Sequence, residues 1–119
     1  MPIIDIEIVL NESLGENLAS DLANKLGEVF NSPPGTTWAK IHGLQADQYA
    51  ENGTTQKDIH PVFVKVIKSN LEKGQDFQIE AEKISHAVAS ICGRPPENVH
   101  IIYEPESSGR IAFGGKLIP

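Results

Sequence analysis

The sequence predicts an α/β (α+β) fold: a duplicated β-α-β unit giving a four-stranded mixed sheet with two helices on one face. Three observations predict it. First, the opening run PIIDIEIVL from Pro2 has a counterpart, PVFVKVIKS, from Pro61, 59 positions later. Second, each run is followed by a helical stretch and then a proline pair, Pro33-Pro34 and Pro95-Pro96, 62 positions apart. Third, each half closes on a glycine turn, Gly53 and Gly115, again 62 positions apart. Self-similarity at a fixed period is the mark of a repeated structural unit. It divides this single 119-residue domain into halves 2–58 and 61–119, with an insertion of about three residues expected before the second helix.

Each element has a local reason. In the first strand Ile4, Ile6 and Ile8 alternate with Asp5 and Glu7, the period-two pattern of a strand with one buried face. Leu14, Leu18, Leu22, Leu26 and Val29 recur at helical spacing. Ser13 and Glu16 fit an S-x-x-E capping box, so the first helix is expected from Leu14 to Phe30. TTWAKIHGL and NVHIIYE are the strands after the two helices. Phe77, Ile84, Val88 and Ile91 mark one face of a second helix from Asp76 to Cys92, stopped by Gly93 ahead of Pro95. AFGGKL supplies the turn of a closing hairpin.

A helix bridging two neighbouring strands makes a parallel, right-handed crossover, so both helices fall on one face of the sheet. In the third strand Val62, Val64 and Val66 point one way and Phe63 and Ile67 the other, the pattern of a strand buried on both sides. Two helices cover one face only, so further copies of the chain are expected on the other, as a closed cyclic oligomer.

Composition narrows the function. A chain of this length buries a core without staples. With 10 basic and 16 acidic residues and a net charge of −6, it lacks the basic surface that nucleic-acid binding requires, so no nucleic-acid partner is expected. No run is long enough to span a bilayer, and no basic-then-apolar leader is present; the expectation is a cytoplasmic protein without a membrane partner. Cys92 has no partner for an internal disulfide and is expected to fill the core. His42, His60, His86 and His100 are too scattered for a metal site, and the glycines match neither a P-loop nor a dinucleotide fingerprint, so no metal and no cofactor is expected.

Pro2 is the most informative residue. Removal of Met1 turns its nitrogen into a secondary amine able to act as a base, whereas Pro61 nitrogen is locked in an amide. An ordinary α-amine has a pKa of about 8, so its neutral form at pH 7 needs desolvation or a nearby cation.

The methionine-proline start, the duplicated unit of about sixty residues, the PP pair before each second strand and the hairpin at AFGG together resemble the tautomerase superfamily. Its members include 4-oxalocrotonate tautomerase, 5-carboxymethyl-2-hydroxymuconate isomerase and macrophage migration inhibitory factor. The resemblance covers nearly the whole chain. It implies a homotrimer with sites between subunits and a keto-enol isomerase acting on a small enol or unsaturated carboxylic acid. Pro2 would move the proton. Lys40 is the first candidate for the neighbouring cation, followed by Lys65 and Arg110.

The resemblance also indicates where substrate would be held. The muconate tautomerases carry an arginine near the start of the strand after the helix; that position falls on His100 in the second half and on Trp38 in the first, with Lys40 on the same strand face as Trp38. A second family arginine, past the first strand, matches Asn11-Glu12, which speaks against dicarboxylate substrates. The closing segment offers Arg110 as an anion partner and Phe113 as an apolar wall or core residue, and Tyr103 is expected to face the helices with Ile101. Two alternatives stand beside the isomerase. One is a hydrolytic dehalogenase or hydratase with protonated Pro2 as the acid and Glu51 or Glu104 activating water; the other is a trimeric binding module without catalysis.

Overall fold

A computed structural model describes residues 2–53 and 60–119; Met1 and 54–59 lie outside the described residues, and with them the end of the first repeat and the state of the amino terminus. The strands are β1 (Ile3–Leu10), β2 (Trp38–Gln45), β3 (Val62–Ile67) and β4 (Val99–Tyr103), with helices α1 (Leu18–Val29) between β1 and β2 and α2 (Gln75–Cys92) between β3 and β4. The strand order is β2-β1-β3-β4. The β1–β2 and β3–β4 pairs are parallel and the central β1–β3 pair is antiparallel, so the sheet is mixed, as expected. A hairpin of β5 (Ile111–Phe113) and β6 (Lys116–Ile118) closes the chain, turning at Gly114 and Gly115, both at positive φ.

Alternation decides the register. Ile4, Ile6 and Ile8 lie opposite Val66, Val64 and Val62, all on the face beneath the helices and all buried. Leu22 and Leu26 of α1 and Ile84 and Val88 of α2 complete this core. A one-residue slip would turn Asp5, Glu7 and Lys65 into it, so pairing is strongly specified. On the opposite face Phe63 and Ile67 are half-buried while Trp38 and Ile102 are exposed. No helix among the described residues is long and apolar enough to cross a membrane.

Two expectations are corrected. Helix α1 begins at Leu18, not Leu14, and the Ser13/Glu16 capping box does not form; Asn17 precedes the helix without a side-chain cap bond. Leu14 instead packs at the edge strand, where a Cβ on Gly43 would meet its Cγ at 3.5 Å and Leu10 Cδ2 at 3.3 Å. Burial of that leucine against glycine prevails over an exposed cap. Nor is there an insertion before the second helix, since both connections, 11–17 and 68–74, are seven residues long. The extra length lies in α2, of 18 residues against 12.

Both helices stop by the same device. Asn31 and Gly93 adopt the left-handed conformation two residues before each proline pair, and the next amides, of Ser32 and Arg94, bond back to the carbonyls of Gly27 and Ala89. Arg94 then donates to the carbonyl oxygens of Val9, Cys92 and His60 at 2.8–2.9 Å, tying the end of α2 to β1 and the approach to β3.

Cys92 ends α2, partly buried rather than enclosed. Burial pushes its thiol above the ordinary range, with the Arg94 charge opposing. A raised pKa leaves less thiolate at pH 8, so Ellman's reagent is expected to label the folded protein roughly tenfold more slowly than the unfolded chain. Equal rates in both states would show the helix end to be open.

Candidate active site

The amino-terminal end of β1 opens into a cleft of about 570 Å³ between the end of α1 and the loop after β3. Pro2 lines it and is itself buried; its carbonyl oxygen accepts from the Trp38 amide at 3.1 Å, continuing the β1–β2 ladder. Phe30, Ser32 and Thr36 form one wall, and the Ser32 hydroxyl accepts from Thr37 Oγ1 at 2.7 Å. Lys68, Glu72 and Glu80 form the other.

Lys68 is the cation lining the Pro2 cleft among the described residues. Its side chain is 14% exposed and its Nζ lies 2.7 Å from Glu80 Oε2, in a carboxylate only 11% exposed. Glu72 Oε1 lies farther off, at 3.6 Å and half-exposed, and the Phe30 ring centroid stands 5.3 Å from the ammonium. Tyr103 donates its hydroxyl to the second Glu80 oxygen at 3.0 Å and packs edge-on against Phe77. Burial, and then the Glu80 charge, holds the Tyr103 phenol well above its ordinary pKa, so it remains a donor across the working pH range. Every polar group in this chain of contacts has a partner, as buried polar groups require.

The residues singled out from the sequence divide between two places. Trp38, Lys40 and His100 stand on the sheet face away from the helices. Lys40 Nζ lies 3.1 Å from Asp5 Oδ1, a close ionic contact whose angle leaves that buried oxygen without a hydrogen-bond donor. Lys65 reaches Glu104, and His100 packs against Phe63. Trp38 does not line the cleft and meets Pro2 through its backbone amide; its ring meets Phe113 edge-on at 5.3 Å, so the closing hairpin seats on the start of β2. Arg110 donates from Nε and Nη2 to the carbonyl oxygens of Glu106 and Pro105. Glu51 is engaged by Tyr49, and neither Glu51 nor Glu104 lines the Pro2 cleft. Tyr103 faces α2, as expected.

Lys68 and Glu80 were not singled out from the sequence, although both carried a signal. Lys68 shares the parity of Val62, Val64 and Val66, and Glu80 lies between Phe77 and Ile84 on the apolar stripe of α2. Two opposite charges, each on a face that must be buried, are candidates to meet.

No protein-family model matches the sequence, and no curated protein matches it by sequence. Solved structures match it over almost its whole length. MIF2 of Leishmania major superposes with a TM-score of 0.72 at 16% identity, covering 99% of this chain and 97% of its own. A fused 4-OT protein, a symmetric trimer, gives 0.74 at 11% identity, covering 98% and 94%. A malonate semialdehyde decarboxylase, from FG41, gives 0.69 at 15% identity, covering 94% and 88%. The sheet order, the two helices over one face and these superpositions agree with the resemblance carried by the sequence: this chain has the fold of the tautomerase superfamily.

Proposed function

We propose that the protein is a keto-enol tautomerase in which the Pro2 amine, freed by removal of Met1, carries a proton between two carbons of a small enol or unsaturated carboxylic acid. The observation that carries this reading is the shared cleft of Pro2 and the nearly buried Lys68. A cation beside a desolvated secondary amine favours its neutral, basic form, and the same cation stabilises the enolate oxygen as charge develops. Lys68 therefore takes the role expected of Lys40. We further propose a homotrimer, because the sheet face away from the helices leaves Trp38 and Ile102 exposed and a superposable fused 4-OT protein is a trimer. In that assembly Trp38, Lys40, His100, Arg110 and Phe113 stand ready to contact substrate from a neighbouring subunit, His100 and Arg110 as anion partners.

The test is ultraviolet-monitored ketonisation of a panel of enol acids by protein shown by intact mass to lack Met1. Turnover above buffer is expected, strongest for monocarboxylates, since two carboxylates already face Lys68 in the cleft. No turnover with any member would sink the tautomerase reading. The presence of Glu72 in the cleft favours one second reading, hydration or hydrolytic dehalogenation with Glu72 in place of Glu51 or Glu104 as the group that activates water. Halide release from a haloacrylate, without ketonisation, would select it. Inactivity on both would leave a binding module.

A further inference from the structure

We infer that Glu80, held by Tyr103, is a positioning residue: it fixes the Lys68 ammonium in the Pro2 cleft. The inference rests on the tautomerase reading for its catalytic consequence but on geometry for its existence. A lysine side chain has four rotatable stem bonds and a strongly hydrated head, so left alone it samples solvent. Here the stem leaves the first residue after β3, and the head meets a carboxylate at 2.7 Å with both side chains nearly buried. One Glu80 oxygen binds Lys68 and the other accepts from Tyr103 at 3.0 Å. The carboxylate is thus clamped between the residue after β3 and the last residue of β4, while its own backbone belongs to α2. The ring of Phe30, the residue after α1, lies against the Lys68 ammonium.

This arrangement has a consequence for rate. A cation that must be recruited from solvent during the reaction pays reorganisation, whereas one held in place beforehand does not. Holding it by a nearly buried partner, with Glu72 only a loose and half-exposed second contact, makes Glu80 the group on which its location depends. Tyr103 acts one step further out by preventing the Glu80 carboxylate from turning.

The experiment is a double-mutant cycle with two readouts on the full chain. In the first, the lysine ammonium ¹H–¹⁵N resonances are recorded at low temperature, Lys68 being assigned by its loss in Lys68→Met. Wild type is expected to show a slowly exchanging Lys68 signal that Glu80→Gln abolishes. In the second, Glu80→Gln is expected to lower kcat about tenfold with little change in KM, and to lower it less than about twofold when Lys68 is already methionine. Persistence of the Lys68 resonance in Glu80→Gln overturns the proposal, and so does an equal fall in kcat in both backgrounds. Should Glu80→Gln not fold, Tyr103→Phe carries the test, since it keeps the ring against Phe77 and removes the hydroxyl alone; a Lys68 resonance and a kcat both identical to wild type would then refute the clamp. Absence of turnover in wild type would defeat the tautomerase reading while the resonance still decides the positioning.

Discussion

Pro2→Ala is expected to lower kcat/KM for enol-acid ketonisation by at least about 10²-fold, within the usual range for loss of a positioned general base. The alanine variant keeps an amino-terminal nitrogen, so the loss measures placement and basicity rather than mere presence of an amine. The proline ring fixes φ and, with its carbonyl bonded to the Trp38 amide, leaves the nitrogen little freedom at the mouth of β1. A primary amine on an unrestrained residue samples more orientations, and misplacement of a reacting group is costly in rate. Protein retaining Met1 is expected to be inactive altogether, because an amide nitrogen has no basicity to offer. Both forms can be separated by intact mass and assayed on the same substrate. A Pro2→Ala enzyme within about threefold of wild type would remove Pro2 from the mechanism and leave general-base catalysis unassigned.

Ile84→Ala is expected to be the most damaging to stability, at about 3 kcal/mol, a typical cost for truncating a fully enclosed branched side chain. Ile84 is completely buried on the face of α2 that meets the Ile and Val rows of the central strands. Its removal loses apolar burial and leaves a cavity that a sheet-and-helix layer cannot collapse around. For a domain of this size that amounts to a fall in Tm of about 10–20 °C. Ile79, on the same helix but 45% exposed, is the internal control, and Ile79→Ala is expected to change stability by less than about 0.5 kcal/mol. Thermal unfolding followed by circular dichroism separates the two. Similar losses in both variants would mean that the exposed side of α2 is covered in solution.

Much of this fold is legible in the sequence because burial on a regular element is a one-dimensional pattern. Ile4-Ile6-Ile8 and Val62-Val64-Val66 announce strands with one face inward, and the stripe from Phe77 to Ile91 announces α2 to within one residue of its observed start. The start of α1 was less legible. A capping signal is a weak local preference of about 1 kcal/mol, and here it lost to the packing of Leu14 against Gly43, a contact between residues 29 positions apart. The cation beside Pro2 was less legible still, since the strand face shared with Trp38 points to Lys40, which the fold pairs with Asp5 on the opposite side of the sheet.

Element order, the pairing of the halves and the place of Pro2 at the mouth of the first strand were all readable from the residues alone. These follow from period, from turn chemistry and from covalent structure. Which charged groups share the cleft with that proline depends on packing between distant segments. Lys68 directly follows β3, Glu80 sits in the second turn of α2 and Tyr103 ends β4, so the three come from separate segments of the chain. They meet because antiparallel pairing of β1 with β3 brings the end of β3 beside the start of β1, and because the crossover lays the beginning of α2 above it. Coulomb attraction over 2.7 Å between two nearly buried groups then holds what no local preference could have specified.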